Sequence, residues 1–318
     1  MSKRILITDS LFIYTEHEQQ LEGLGYTVER LDKPQASEEE LCEAIRGKHG
    51  YILGGIESVT SKVIAAADSL EAISFTGSGY TEFIPAHEEA TQRGIAISAA
   101  IGGNAQAVAE YTLTLILAMV RRLPLLTTKG GAGFYIAPGI KELTLGIVGL
   151  GHVGRRVADI ALLLGFNVLA TSRSEPEDKP SGIRFVALTE LLEKSDIITL
   201  HVNKQHGTHV IGHPELSTLK DGAILINAAF PHAVDATALH SELITKRLLA
   251  AFDAPADGDF SDVPLGYYLA SNSQTAFNTH ECNKIISDRV TTSLINLLSS
   301  GEDSDLANPE YKRFKDRS

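Results

Sequence analysis

Short apolar runs alternate with amphipathic stretches along almost the whole chain. Ile5–Ile7, Tyr51–Leu53, Ala72–Phe75 and Ile95–Ile97 read as buried strands, with helices at Glu38–Arg46 and Ala86–Arg93 between them. Such alternation predicts a parallel sheet covered by helices. Gly102-Gly103 interrupts it, Asn104 is a candidate N-cap, and a long helix follows to about Arg122, with Pro124 just beyond. Thr127–Gly139 reads as a loop. A second block has strands at Leu145–Val148, Asn167–Thr171, Ile197–Val202, Ala223–Asn227, Leu248–Asp253 and Tyr267–Ala270. These near-continuous apolar strands fit a parallel sheet buried on both faces. A last helix runs from about Glu281 to Leu298, and the charged tail Gly301–Ser318 is expected to fray.

The most apolar stretch, Leu113–Val120, is far shorter than the about 20 residues of a spanning helix. It also exceeds what one buried face of a lone domain requires, which predicts a homodimer interface along the helix. Ile5-Leu6-Ile7 is too short for a signal-peptide core, so a cytoplasmic protein is expected.

Composition narrows the function. With 318 residues there is material for two domains. A hydrophobic fraction of 43% and a charged fraction of 21% exclude a disordered, collagen-like or disulfide-scaffold chain. Forty acids against 28 Lys and Arg give a net charge of −12, which opposes binding to nucleic acid or an anionic membrane. Cys42 and Cys282 have no metal-like spacing; a reduced setting is expected, and one disulfide stays open. His206 and His209 have no Cys or carboxylate partner at ligand spacing, so no metal is expected.

The sharpest motif is Gly149-Leu150-Gly151-His152-Val153-Gly154. It follows the strand Leu145–Val148 and opens a helix whose expected buried face is Val153, Val157, Ile160, Ala161 and Leu164. The strand Asn167–Thr171 completes a β-α-β unit of the expected ~30 residues. In such a unit Gly149 permits the tight turn, Gly151 lets the backbone approach a pyrophosphate, and Gly154 allows close packing. The helix N-terminus then faces the phosphates with free N–H groups. An acid at the end of the second strand would select NAD(H). Ser172-Arg173 stands there instead, which suits a 2′-phosphate and predicts NADP(H), with NAD(H) the alternative.

Several further segments fall in a recognisable order: Asn104–Glu110 opening the long helix, Asp196–Val202, and Leu219–Asn227. With the glycine turn, they make the chain resemble the D-isomer-specific 2-hydroxyacid dehydrogenases, the family of phosphoglycerate dehydrogenase and the glyoxylate/hydroxypyruvate reductases. The resemblance covers most of the chain. It implies two doubly wound α/β domains with parallel sheets, a Rossmann cofactor domain (101–281) inserted into a flavodoxin-like substrate domain (1–100 and 282–318). It also implies a dimer, and a cofactor lined by His152, Val153, His201, Val202, Ala228 and Asp253, the last at the nicotinamide carboxamide.

The family's chemistry uses an Arg that holds the substrate carboxylate, a His that moves the proton and a Glu that keeps the His protonated. The resemblance places Phe230 at the Arg position, Gln274 at the His position and Gly258, flanked by Asp257 and Asp259, at the Glu position. Phe cannot hold a carboxylate, and Gln does not titrate. His232 and His280 are the candidate relocated acids. Ser78 and Tyr80, in a Gly77–Tyr80 segment like the family's substrate loop, and Asn104 are candidate substrate contacts. Two functions follow. One is an NAD(P)-dependent oxidoreductase acting on a small molecule other than a simple 2-keto acid. The other is a catalytically inactive dinucleotide-binding sensor or partner protein.

Overall fold

The computed structural model describes residues 2–8, 13–33, 35–177, 179–203 and 209–315. The chain divides into two compact units, one made of residues 1–104 and 279–318, the other of residues 105–278. Both are parallel α/β sheets.

In the first unit the strands are β1 (Arg4–Thr8), β2 (Thr27–Leu31), β3 (Gly50–Leu53), β4 (Ala72–Phe75) and β5 (Ala96–Ala99). Their order is β2-β1-β3-β4-β5, the flavodoxin-like winding, with every pair parallel. β3, β4 and β5 are buried throughout, as their apolar runs require. β2 reads Thr-Val-Glu-Arg-Leu, an edge strand with mixed character that no apolar run announces. The helix His280–Ser299 returns to pack on β3, β4 and β5, its start capped by the Thr279 hydroxyl, which accepts from Cys282 N–H at 3.1 Å.

For residues 301–315 the expected fraying is corrected by the structure; residues 316–318 lie outside the described residues. Ala307 N–H donates to the Ile97 carbonyl, and Ala99 N–H to that of Asp305. The Asn308 side chain accepts from Ile97 N–H at 2.7 Å and donates to Thr91 and the Ile95 carbonyl. Tyr311 is buried, with its hydroxyl on the Gly301 carbonyl at 2.7 Å. A few well-placed side chains therefore outweigh the charge of the segment and cover the open edge of β5.

In the second unit the strands are β6 (Thr144–Val148), β7 (Asn167–Thr171), β8 (Arg184–Phe185), β9 (Ile197–Leu200), β10 (Ile224–Asn227), β11 (Leu249–Phe252) and β12 (Tyr268–Ala270). Their order is β12-β11-β10-β9-β6-β7-β8, all parallel. Successive side chains feed opposite cores: Ile224, Ile226, Leu249 and Ala251 on one face, Leu225, Ala250 and Phe252 on the other. The first core lies under the helices Ala105–Val120 and His152–Leu164, where Val153, Val157, Ile160 and Ala161 face it but Leu164, at the helix end, is exposed rather than buried. Leu113, Leu115, Ile116, Met119 and Val120 are buried in it, so most of the apolar run of the long helix is engaged within its own unit. No helix among the described residues is long and apolar enough to cross a membrane.

Candidate functional site

Because all strands of the second unit are parallel, the segments after Val148, Thr171, Leu200, Asn227, Phe252 and Ala270 emerge at one edge of the sheet. Strand order reverses between β6 and β9, which makes a crevice at that edge. Gly149 and His201 meet there. Gly149 has φ +99°, and a Cβ on it would lie 2.2 Å from the His201 carbonyl oxygen. A Cβ on Gly154 would lie 2.0 Å from the Gly149 carbonyl oxygen, so the helix can approach the turn only without a side chain. Gly151 is different: a Cβ would meet nothing within 4 Å among the described residues beyond its chain neighbours. Its smallness answers to none of them, which fits a backbone left bare for a ligand.

The helix His152–Leu164 starts at Gly151 with no side-chain cap. Its first N–H groups thus face the crevice with the positive end of the helix dipole. His152 is exposed and Val153 half-buried on this first turn. At the end of β7, Ser172 bonds its hydroxyl to the Ser174 carbonyl at 2.6 Å. Arg173 is exposed and has no hydrogen-bond or ion-pair partner among the described residues, while Glu175 is paired with Lys179.

His201 closes the crevice floor beside half-buried Val202. Its Nε2 lies 3.0 Å from the Thr199 hydroxyl, and its Nδ1 is buried without a partner among the described residues. Burial pushes its pKa down to about 3, so the ring is neutral at neutral pH. An unfolded chain protonates this ring near pH 6.5, so its contribution to stability is present above that value and lost as pH falls toward 3. His201→Gln is expected to remove that part of the acid loss, at most about 1.4 kcal/mol per pH unit. Urea unfolding between pH 7.5 and 4.5 measures it; equal slopes for variant and parent contradict it.

On the other side of the crevice Asn227 braces the loop after β10. Its amide donates to the Phe230 carbonyl at 2.9 Å and its oxygen accepts from Ala229 N–H at 3.0 Å. Ala228 and Phe230 are half-buried, Phe230 against the second core. Asp253, at the end of β11, is buried, and one of its oxygens accepts from Thr275 and Ala276 N–H at 2.9 and 3.0 Å. Burial lifts its carboxyl above the ordinary range, and the two amides offset this only in part. Those bonds anchor the loop that carries Gln274, whose amide reaches the Ala229 carbonyl at 3.2 Å. Phe230, Asp253 and Gln274 are thus brought to one place.

Part of the chain, residues 113–265, matches the model of the D-isomer specific 2-hydroxyacid dehydrogenase NAD-binding domain. Hydroxypyruvate reductase of Thermotoga maritima is 31% identical over 72% of this chain and 74% of its own. D-3-phosphoglycerate dehydrogenase of Methanocaldococcus jannaschii is 30% identical over 78% of this chain, but the match spans about half of that longer protein, 48%. The NAD+-bound 3-phosphoglycerate dehydrogenase of Entamoeba histolytica shares the fold, with a TM-score of 0.81, 22% identity and coverage of 97% and 99% of the two chains. The chain belongs to the D-isomer specific 2-hydroxyacid dehydrogenase family.

As a member of that family it binds a nicotinamide dinucleotide, and the residues of the crevice fit one. The glycine turn and the uncapped helix start would hold its phosphates. The pairing of His232 with Asp257 is absent from the sequence reading: Nδ1 lies 2.6 Å from Asp257 Oδ2. Only the proximity of Asp257 to the family's Glu position pointed toward it. His209 Nδ1 lies 2.9 Å from the His232 carbonyl, and His206 lies outside the described residues.

The candidate substrate contacts Ser78, Tyr80 and Asn104 belong to the first unit. The Ser78 hydroxyl accepts from Gly102 N–H at 3.1 Å, tying its loop to the turn that carries half-buried Asn104. Tyr80 sets its ring edge-on to His87, 5.9 Å between centroids. Both cysteines are free thiols. Glu16, His17 and Asp288 cluster as metal ligands would, but Lys284 Nζ stands 3.1 Å from both Glu16 Oε1 and Asp288 Oδ1. Tyr14 N–H donates to His17 Nδ1, and the group serves as a helix-start brace.

Proposed function

We propose that the protein is an NADPH-linked oxidoreductase whose substrate lacks the carboxylate of a 2-keto acid and presents an apolar end to Phe230. The observation that carries this reading is an intact dinucleotide crevice whose nicotinamide side holds Phe230 and Gln274, neither of them ionisable. The dinucleotide supplies the hydride when bound. The proton comes from His232, whose Nδ1 contacts Asp257, which leaves Nε2 for the substrate oxygen or nitrogen. The working form is a homodimer, with Leu123, Phe134 and Ile136 as exposed apolar side chains beyond the long helix.

Preference for NADPH rests on Arg173. Calorimetry is expected to give tighter binding of NADPH than of NADH. Arg173→Ala is expected to weaken NADPH alone, by about 1–3 kcal/mol for a lost charged hydrogen bond. NADH binding equal to or tighter than NADPH in the parent protein rejects this preference.

A second reading, a dinucleotide-binding sensor without turnover, is favoured by the Gln274 amide being engaged by the Ala229 carbonyl rather than left for a substrate. A panel of aldehydes, ketones and imines with NADPH separates the two. Oxidation of NADPH by a panel member, slowed about 10²–10⁴-fold by His232→Asn, supports the enzyme. Tight NADPH binding with no oxidation across the panel supports the sensor.

A further inference from the structure

At the opposite edge of the second unit's sheet, where β9, β10 and β11 begin, lies a cavity of about 190 Å³. Arg122 lines it together with Tyr135, Asp196, Lys220 and Asp221. Arg122 is 8% exposed, and its Nε is buried without a partner. Its guanidinium makes no hydrogen bond or ion pair among the described residues. It lies over the Tyr267 ring at 4.5 Å and near that of Tyr135 at 5.8 Å, contacts that attract a cation but offer its N–H groups no oxygen acceptor.

Neither neighbouring acid pairs with Arg122 among the described residues. Asp196 takes Lys220 Nζ at 2.8 Å on one oxygen and Thr144 N–H at 2.8 Å on the other. Asp221 lies 3.6 Å from Arg247. Arg122 is the charge left over. A guanidinium whose Nε is buried without an acceptor is costly, and such a group in a native fold calls for water, an ion or a ligand. The backbone of Arg122 is left-handed as well, with φ 53° and ψ 34°, a conformation that L side chains rarely adopt. Strain of this kind is kept where it positions a working side chain.

We infer that this cavity is a binding site for a small oxyanion, a phosphate or a carboxylate, gripped by the Arg122 guanidinium and separate from the dinucleotide crevice. The volume, below the ~300 Å³ at which pockets for drug-sized ligands begin, limits the occupant to a small ion or one terminal group.

The test is calorimetric titration of the full chain with inorganic phosphate at fixed ionic strength. Three variants accompany the parent. Arg122→Asn removes the cation with a residue that tolerates the left-handed backbone, Arg122→Lys keeps the charge, and Arg173→Ala reports on the dinucleotide turn. Circular dichroism verifies that each is folded. Saturable binding is expected for the parent, tenfold or more weaker in Arg122→Asn, partly restored in Arg122→Lys and retained in Arg173→Ala. Absence of saturable binding overturns the site, as does binding lost in Arg173→Ala but kept in Arg122→Asn. If Arg122→Asn shifts the sedimentation of the protein while phosphate binding is unchanged, the guanidinium serves a second copy of the chain, and the free-anion site is rejected.

Discussion

Pyruvate, glyoxylate and hydroxypyruvate are expected to leave NADPH almost unoxidised when mixed with this protein. Phe230 puts no cation where a 2-keto acid's carboxylate would be oriented, and Gln274 holds its amide against the Ala229 carbonyl. Without the clamp a keto acid is not held in line with the hydride and the His232 proton, and misplacement by about 1 Å already costs about 10²-fold in rate. Restoring one residue is expected to change little, because such groups act as a unit. The informative variant combines Phe230→Arg, Gln274→His and Gly258→Glu. Asp253 already pins the loop that would carry the new histidine, through Thr275 and Ala276. Gly258 has φ +98°, so the glutamate enters under backbone strain, and partial recovery is the expected ceiling. Spectrophotometry at 340 nm checks both parts. Turnover of any of the three keto acids by the parent at about 1–10³ per second sinks the proposed divergence.

The second large effect separates the glycines of the turn. Gly149→Ala is expected to destabilise the second unit by at least about 2 kcal/mol, from left-handed backbone strain plus a collision with the His201 carbonyl. Gly151→Ala is expected to fold with an unchanged midpoint, since its Cβ meets nothing among the described residues beyond its chain neighbours, yet to bind NADPH at least tenfold more weakly. Thermal melting and calorimetry on the two variants make the comparison. If Gly151→Ala binds NADPH as the parent does, the pyrophosphate does not lie on that turn.

Strands buried on both faces were legible because their apolar runs are uninterrupted: Ala72–Phe75 is identical in sequence reading and structure. β2 was not, because an edge strand faces water and may carry Glu29 and Arg30. The tail was misread because charge density says nothing of a single Asn side chain that satisfies the edge of β5. Within the site, the glycine turn was legible as a local motif with fixed spacing. The His232–Asp257 contact was not, because it joins loops after different strands, and adjacency of strand ends is a property of the sheet. Arg122 was hidden for a similar reason: a basic residue at a helix end reads as solvated until Tyr267 is seen beneath it.

The order in which the chain leaves the ribosome gives the division into units a further meaning. Residues 105–278 form one continuous unit and hold all seven strands of their sheet. The first unit is complete only with the helix His280–Ser299 and the segment that covers β5. Until those emerge, β3, β4 and β5 lack a cover on one face, and the edge of β5 is open to mispairing. The inserted unit is therefore the first able to fold during synthesis, while the N-terminal strands wait for the far end of the chain.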